Sequence, residues 1–230
     1  MGQVTLDKLE KKLDHVFANK DLLVLALVHS STNRRKTDGQ AIDNERLEFL
    51  GDRVLGLVIA DILLKRYPKD NEGDLARRHT ALVRKEALAR VAEDIELGLY
   101  IDMLPSEVAC GGRENAAILS NACEAVIAAL FLDAGLSAAQ AFISTHWADI
   151  MEENHTPPQD NKTALQEWAQ GRGLPLPLYN MVGKSGPAHA PTFVIEVMVK
   201  GYTPQRAEGT SKRKAEQLAA GSLLKVLLDL

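Results

Sequence analysis

The stretch NERLEFLGDRVL, residues 44–55, carries the strongest indication of fold and chemistry in this chain. At about 100° per residue, Glu45, Glu48 and Asp52 fall within roughly 60° of one another on one helical face. From residue 54 to residue 64 the same helix is apolar almost all round, which is typical of a helix buried on most sides. The pattern therefore predicts one cluster of carboxylates on an otherwise buried helix.

Carboxylates placed this close together need a neutralising partner. Burying them costs several kcal/mol per ion unless something positive lies beside them, and a divalent cation would serve. The alternative is a solvated acidic end of the helix, paired with Arg46 and Arg53. Spacing alone leaves both interpretations open.

A second helical pattern, over Asn115 to Leu132, favours the cation. From Ala116 to Leu132 its side chains are nearly all small or apolar, and the polar ones are Ser120, Asn121 and Glu124. Because residues three apart share a helical face, the asparagine and the glutamate lie together. Two apolar helices that each carry one oxygen-bearing face predict a pocket of hard ligands suited to Mg²⁺ or Mn²⁺.

Composition and charge indicate two domains with different roles. The 230 residues include 46% hydrophobic and only 5% aromatic residues, which is ordinary for a globular protein and favours helices. Residues 1–156 carry 18 Lys/Arg against 25 Asp/Glu, or −7, and residues 157–230 carry 9 against 6, or +3. The polar, Pro-bearing stretch from His155 to Gln159 is the best linker. We therefore expect one domain over residues 1–156 and a second over residues 157–230.

Periodicity predicts a different fold for each domain. The first contains long apolar patterns at helical spacing and no strand pattern, which predicts an all-α domain. Its expected helices are Leu6 to Phe17, Lys20 to His29, Asn44 to Tyr67, Gly73 to Leu97 and Asn115 to Leu132. The second domain predicts an α+β module of order α-β-β-β-α. Its expected elements are a helix from Lys162 to Gln170, strands over 178–182, 192–199 and 202–207, and a helix from Ser211 to Leu227, with Pro204 placing the third strand at an edge.

Two further features bear on location. No uninterrupted apolar run approaches the roughly 18 residues that span a bilayer, so we expect no membrane association. Cys110 and Cys123 form neither a CxxC pair nor a disulfide framework, which predicts free thiols in a cytoplasmic protein.

The last predicted helix begins with three adjacent cations, Lys212, Arg213 and Lys214. Cations at a helix N-terminus oppose the helix dipole, so folding does not require them there. The same arrangement is a good phosphate site, although a solubilising charge run is the alternative. A basic module beside an acidic metal pocket suggests a phosphate polymer as substrate.

Four segments and the C-terminal part carry a family resemblance. NERLEFLGDRVLGLVIAD resembles the signature of ribonuclease III, and ALVHSS, NEGDLARRHTALVRKEALA and CEAVIAALFLDAG resemble the other recurring segments of its nuclease domain. Residues 157–230 resemble a double-stranded RNA-binding domain. The resemblance implies an all-α ribonuclease III nuclease domain followed by an α+β double-stranded RNA-binding domain.

The resemblance also implies an activity. A bacterial ribonuclease III is a homodimeric endonuclease that depends on Mg²⁺, with Mn²⁺ as a substitute, and cuts both strands of duplex RNA. The products carry a 5′ phosphate, a 3′ hydroxyl and a two-nucleotide 3′ overhang. Processing of ribosomal and messenger RNA in the cytoplasm is the implied role. The lack of a convincing nucleophile triad agrees with metal-assisted hydrolysis.

Matching the motifs assigns residues to roles in the nuclease domain. The implied catalytic residues are Glu45, Asp52 and Glu124, and the implied metal ligands are Glu48, Asp52, Asn121 and Glu124. Glu72 matches an acidic position directed towards the RNA, with an exposed loop acid as the alternative. Phe49 matches an aromatic residue of the dimer interface, with ordinary core as the alternative. His29 falls in the HSS segment, where a structural role is the simpler interpretation.

Matching the second domain assigns the RNA contacts. Lys212, Arg213 and Lys214 match the lysine-rich helix start, although Glu216 stands where a further lysine is common. Pro187 and His189 match the loop that reaches one minor groove. Thr163, Gln166 and Glu167 match the positions that touch ribose hydroxyls in another. Such modules recognise A-form shape rather than sequence.

One position departs from the family pattern. Asn121 stands where the family normally has aspartate, which removes one negative charge from the site but keeps an amide oxygen. Metal affinity should fall as a result. The alternative function is therefore a double-stranded-RNA-binding protein with the same fold and weak or absent cleavage. An unrelated acidic helical metal-binding protein would leave the basic module unexplained.

Overall fold

The computed structural model describes residues 3–32, 39, 41–153, 161–187 and 190–228. The chain forms two compact units, residues 1–158 and 159–230. The linker that the sequence predicts from His155 to Gln159 lies outside the described residues, as does His189.

The first unit is helical, as predicted. Its described α-helices are α1 (Gln3–Lys12), α2 (Lys20–Ala26), α3 (Glu45–Arg66), α4 (Glu72–Val83), α5 (Lys85–Asp94), α6 (Pro105–Ala109), α7 (Ala116–His146) and α8 (Ala148–Glu153). A parallel bridge between Val28 and Asp102 joins the end of α2 to the segment before α6.

Four helical predictions differ from the structure in their bounds. The helix predicted from Leu6 to Phe17 ends at Lys12, because Asp14 has a positive φ of 49°, and the helix predicted from Lys20 to His29 ends at Ala26, before the bridge at Val28. The helix predicted from Gly73 to Leu97 is two helices, because Arg84 adopts an extended conformation (φ −71°, ψ 155°) that ends α4 and begins α5. The helix predicted to end at Leu132 continues to His146 across a kink. Gly135 makes the kink possible, since its φ of +77° lies where a side chain is disfavoured.

Helix α7 is the central core element of the first unit. Its residues 125–130 are fully buried, and it packs against α2, α3 and α5. Its length and mean hydropathy of 1.8 over 18 residues would also suit a membrane span. The sequence shows no long uninterrupted apolar run there, because polar residues such as Ser120, Asn121 and Glu124 interrupt it. Because many of its apolar side chains are buried within the helical unit, its composition is that of a core helix.

The second unit has the predicted α-β-β-β-α order. Its elements are α9 (Asn161–Gln170), β1 (Leu178–Ser185), β2 (Thr192–Met198), β3 (Gln205–Gly209) and α10 (Lys212–Leu228). The strands form one antiparallel sheet in the order β1-β2-β3. The third strand lies at an edge, as predicted, but it covers Gln205–Gly209 rather than 202–207, because pairing begins only after Pro204.

Both helices of the second unit cover one face of the sheet. The buried core combines Ile195 and Val197 of β2 with Leu165 of α9 and Leu223 of α10. Strand β1 extends beyond its predicted end at Val182, because a bulge between Met181 and Gly183 allows pairing with β2 to continue.

Candidate active site

The carboxylates of α3 and α7 face one another across a cleft of about 450 Å³. The residues that line it are His29, Ser30, Asn44, Glu45, Glu48, Phe49, Asp52, Asn121 and Glu124. The structure therefore brings together every residue that the sequence predicts for catalysis and metal binding.

The cleft exists because two helix backbones touch. A β-carbon on Gly51 would lie 1.8 Å from the carbonyl oxygen of Glu124, so only glycine permits this crossing. Glu48 and Asp52 flank the glycine on α3. The contact therefore sets the distance between the acidic faces of the two helices.

Burial and the charge of a neighbouring carboxylate raise the pKa of two glutamates in the cleft, Glu48 and Glu124. Partial burial, and next the charge of Glu45, raise the pKa of Glu48. Burial, and next the charge of Glu48, raise the pKa of Glu124 to about 7, against a smaller opposing effect of Arg53. Carboxylates that repel each other in this way are suited to share a cation.

Asp52 and Phe49 are both engaged by one arginine. The guanidinium of Arg53 forms an ion pair with the carboxylate of Asp52 and lies 5.2 Å from the centre of the Phe49 ring. The sequence left open an alternative in which Arg46 and Arg53 pair with the acidic cluster, and the Arg53 part of that pairing is present. Phe49 itself is 67% exposed, which excludes the ordinary-core interpretation within this unit.

Asn121 connects the second helix to the first. Its side chain hydrogen-bonds with the carboxylate of Glu48, which partly offsets the rise in the pKa of that group. Because a carboxylate can only accept, the amide nitrogen donates. Its amide oxygen lies 3.3 Å from the hydroxyl of Ser120, so the asparagine orients Glu48.

The chemistry of the side chains in this cleft suits a hard divalent cation. Three carboxylates and an amide oxygen are the ligand types that Mg²⁺ prefers. The ligand shell is not closed, however, since Asp52 is paired with Arg53. Among the described residues no three His, Cys, Asp or Glu side chains converge into a group able to hold a metal ion.

Glu72 is separate from this cluster. It is exposed in the first turn of α4, where an acidic side chain suits the helix dipole. Helix α4 is capped by Asn71, whose side chain accepts the backbone N–H of Asp74. Glu72 is not one of the described cleft-lining residues.

Two cleft residues, Ser30 and Asn44, were missed by sequence reasoning. Asn44 is 4% exposed, and its amide nitrogen donates to the carbonyl of Ala26 at 3.3 Å. It ties the start of α3 to the end of α2. A polar residue directly before the acidic helix was the available signal, but nothing local showed which element it would contact.

A second cleft, of about 670 Å³, lies in the second unit. It brings Thr163 and Gln166 of α9 together with Lys212 and Arg213 of α10, four of the residues that the sequence predicts to contact RNA. The other residues that line it are Lys162, Leu176, Pro177, Tyr179, Glu216 and Gln217. We call this the basic groove.

The remaining RNA-contact candidates lie outside the lining of the basic groove. Glu167 and Lys214 are exposed on α9 and α10, and Pro187 is exposed in the loop between β1 and β2. Glu216, the departure from the usual lysine, has its carboxylate 2.7 Å from the ammonium of Lys162. That ion pair offsets its negative charge within the groove.

Comparisons with known proteins agree with this architecture. The ribonuclease-III-like family profile matches residues 19–150, and the double-stranded RNA binding motif matches residues 161–227. Ribonuclease 3 of Azorhizobium caulinodans is 47% identical over 219 residues, which cover 94% of this chain and 92% of that protein. This chain belongs to the ribonuclease III family.

A second full-length relative and a solved nuclease domain support the same family. Ribonuclease 3 of Wolbachia pipientis is 43% identical and covers 96% of each chain. The solved nuclease domain of Campylobacter jejuni ribonuclease III is 41% identical, with a TM-score of 0.56, and covers 65% of this chain and 98% of its own. The predicted family and the predicted fold class are confirmed.

Proposed function

We propose that this ribonuclease III family endoribonuclease cuts both strands of duplex RNA and depends on Mg²⁺, with Mn²⁺ as a substitute. The observation that carries the proposal is the convergence of Glu48 and Asp52 with Asn121 and Glu124 in one cleft. The products would carry 5′ phosphates, 3′ hydroxyls and two-nucleotide 3′ overhangs.

The cation would be held by side chains of both helices. Glu48, Asp52, Asn121 and Glu124 are its ligands in this proposal, and Asp52 would leave Arg53 to join them. Bound Mg²⁺ supplies an activated water and charge stabilisation for phosphodiester hydrolysis. Glu45, exposed at the edge of the cleft, lies nearer the incoming RNA.

The basic groove supplies binding rather than chemistry. Lys212 and Arg213 lie at the N-terminal end of α10, where the helix dipole also favours phosphate. Thr163 and Gln166 offer short polar groups across the same groove. This combination suits the backbone and ribose hydroxyls of a duplex, which carry shape rather than sequence.

Helix α3 also presents an apolar surface that suits a second copy of the chain. Phe49, Leu57 and Leu64 are 67%, 59% and 64% exposed, and their spacing places them on one side of the helix. The Campylobacter jejuni relative has a region involved in dimer formation in its nuclease domain. We include a homodimer in the proposal, in which each cleft cuts one strand.

The cellular role in the proposal is processing of ribosomal and messenger RNA in the cytoplasm. It follows from the substrate class and from two free cysteines, which suit a reducing compartment.

The deciding experiment incubates the protein with a long RNA duplex and Mg²⁺. We expect short duplex products on a gel, and none when EDTA removes the cation. Glu124→Gln is the matched control, since it keeps size and removes one charged ligand. Intact RNA with the unaltered protein would contradict the proposal.

A second candidate is an RNA-binding protein that cuts poorly. The observation that favours it is that Asn121 contributes an amide where the family pattern has a carboxylate. The same gel separates the two, because this candidate retards the duplex without shortening it. Restoration of cleavage by Asn121→Asp would then assign the defect to that residue.

A further inference from the structure

His29 is fixed beside the acidic helix by backbone hydrogen bonds from two directions. Its N–H donates to the carbonyl of Asp102 at 2.9 Å, and the N–H of Asp102 donates to Leu27 at 2.8 Å. On the other side, the N–H of Asn44 donates to the carbonyl of Val28 at 2.9 Å. The position of His29 relative to the start of α3 is therefore set by the fold.

One nitrogen of the His29 ring is committed to the turn that follows it. Its Nδ1 lies 2.8 Å from the hydroxyl oxygen of Ser31 and 3.3 Å from the Ser31 backbone nitrogen. A backbone N–H can only donate, so Nδ1 accepts. The hydroxyl oxygen in turn accepts the N–H of Leu104 at 3.3 Å, which leaves its own proton for Nδ1. The neutral ring therefore carries its proton on Nε2.

The same ring lines the acidic cleft. The amides of Asn44 and Asn121 are engaged with Ala26 and Glu48. Within the described part of the chain, no hydrogen-bond partner is assigned to His29 Nε2. The ring thus brings a fixed N–H donor to a cleft whose other ionisable side chains are carboxylates.

We propose that His29 is an RNA-positioning residue whose Nε2–H donates to a phosphate oxygen of the strand that enters the cleft. The proposal rests on the proposed function. An RNA backbone that approaches several carboxylates needs a fixed donor to hold it in register. A lysine or arginine at this place would pair with Glu45 or Glu48 and compete with the cation. The Nε2–H of an imidazole donates to a phosphate oxygen without the permanent charge of those side chains.

Two variants separate this role from simple capping of the turn. His29→Asn keeps an acceptor near the position of Nδ1 and removes the distant donor. His29→Gln places an amide N–H near the position of Nε2. We expect His29→Asn to unfold at the temperature of the unaltered protein but to lose roughly tenfold or more in single-turnover cleavage of duplex RNA with Mg²⁺. His29→Gln should recover part of that loss.

Mn²⁺ binding, followed by electron paramagnetic resonance, separates RNA positioning from structural support of the acidic cluster. If His29 only supported the cluster, its replacement would change the affinity for Mn²⁺. We expect equal Mn²⁺ affinity in the unaltered protein and in His29→Asn. A parallel loss of Mn²⁺ affinity and cleavage would overturn the proposal, because His29 would then act through the acidic cluster. Full cleavage by His29→Asn would overturn it as well.

A measurement without cleavage keeps the test independent of the proposed function. The protein for this measurement is the Glu124→Gln variant, labelled with ¹⁵N-histidine, in the presence of Mg²⁺. The Nε2–H signal of His29 is identified as the signal that His29→Asn removes. We expect that signal to shift when duplex RNA is added. A signal that stays in place while the RNA is bound overturns the role of His29. Failure of the unaltered protein to cut would overturn the proposed function instead.

Discussion

Gly51 and the carbonyl of Glu124 are in direct backbone contact, since a β-carbon on the glycine would lie 1.8 Å from that oxygen. This contact brings α3 and α7 close enough for their carboxylates to share one cleft. A nearby glycine of the same helix, Gly56, has no such constraint. A β-carbon there would lie 3.7 Å from the His79 ring, an ordinary contact.

Gly51→Ala should therefore destabilise the nuclease domain by about 3 kcal/mol, because the helix backbones must separate. Gly56→Ala is the matched control and should be neutral or stabilising by up to about 1 kcal/mol, since alanine favours a helix. Urea unfolding of both variants measures the difference. Equal stability of the two would contradict the close crossing.

Asn121→Asp should lower the Mg²⁺ concentration needed for half-maximal cleavage, because it adds a charged ligand. The size should be roughly tenfold to a hundredfold, or about 1–3 kcal/mol. Without metal the variant should be less stable, since Glu48 loses a donor and gains a repelling neighbour. Calorimetry with Mg²⁺ and thermal unfolding with EDTA check both effects. Asn121→Ala is the control, and a gain in that variant would show that added charge is not the cause.

Replacing Lys212 and Arg213 with alanine should weaken duplex RNA binding and flatten its dependence on salt. Each lost phosphate contact lowers the slope by about 1. The control replaces Lys200 and Lys225, two exposed lysines outside the lining of the basic groove, and changes net charge equally. Equal losses in both double variants would mean that net charge alone drives binding.

Leu57→Glu should convert a dimer of the nuclease domain into a monomer, because it places a charge on the apolar surface of α3. Sedimentation of the full chain should give about twice the monomer mass before the change. Leu99→Glu is the control, since Leu99 is also 64% exposed but lies away from α3. A monomer before any substitution would remove the dimer from the proposal.

Asp133 should make stability depend on acid. Its carboxylate accepts from Asn19 N at 2.8 Å and Ala18 N at 3.0 Å, and it lies 2.8 Å from His15 Nε2. Burial alone would raise the pKa of Asp133, but these hydrogen bonds outweigh it and hold the pKa below its ordinary value. The stabilisation is present above the unfolded pKa and is lost as pH falls through the folded one.

Asp133→Asn should therefore cost about 1–3 kcal/mol at pH 7, and the cost should shrink below about pH 4. Thermal unfolding across that range measures it, with the exposed Asp14→Asn as the control. A cost that stays constant down to low pH would show that the charge of Asp133 is not involved.

The local sequence pattern was sufficient to predict features that depend on a single helix or strand. The carboxylates of α3 and the polar face of α7 follow from a period of 3.6 residues, and the buried Ile195 and Val197 follow from alternation along β2. The break at Arg84 could not be predicted in this way, because the apolar spacing of α4 continues into α5 without a local stop signal.

Sequence alone determined that two apolar helices each carry one oxygen-bearing face, because side-chain direction along a helix depends only on the local repeat. Only the tertiary structure decided that Gly51 lets those faces meet, that Asn121 donates to Glu48, and that His29 enters the same cleft. The bridge from Val28 to Asp102 joins residues far apart in the chain. Long-range contacts of this kind depend on the packing of the whole unit, which no local periodicity encodes.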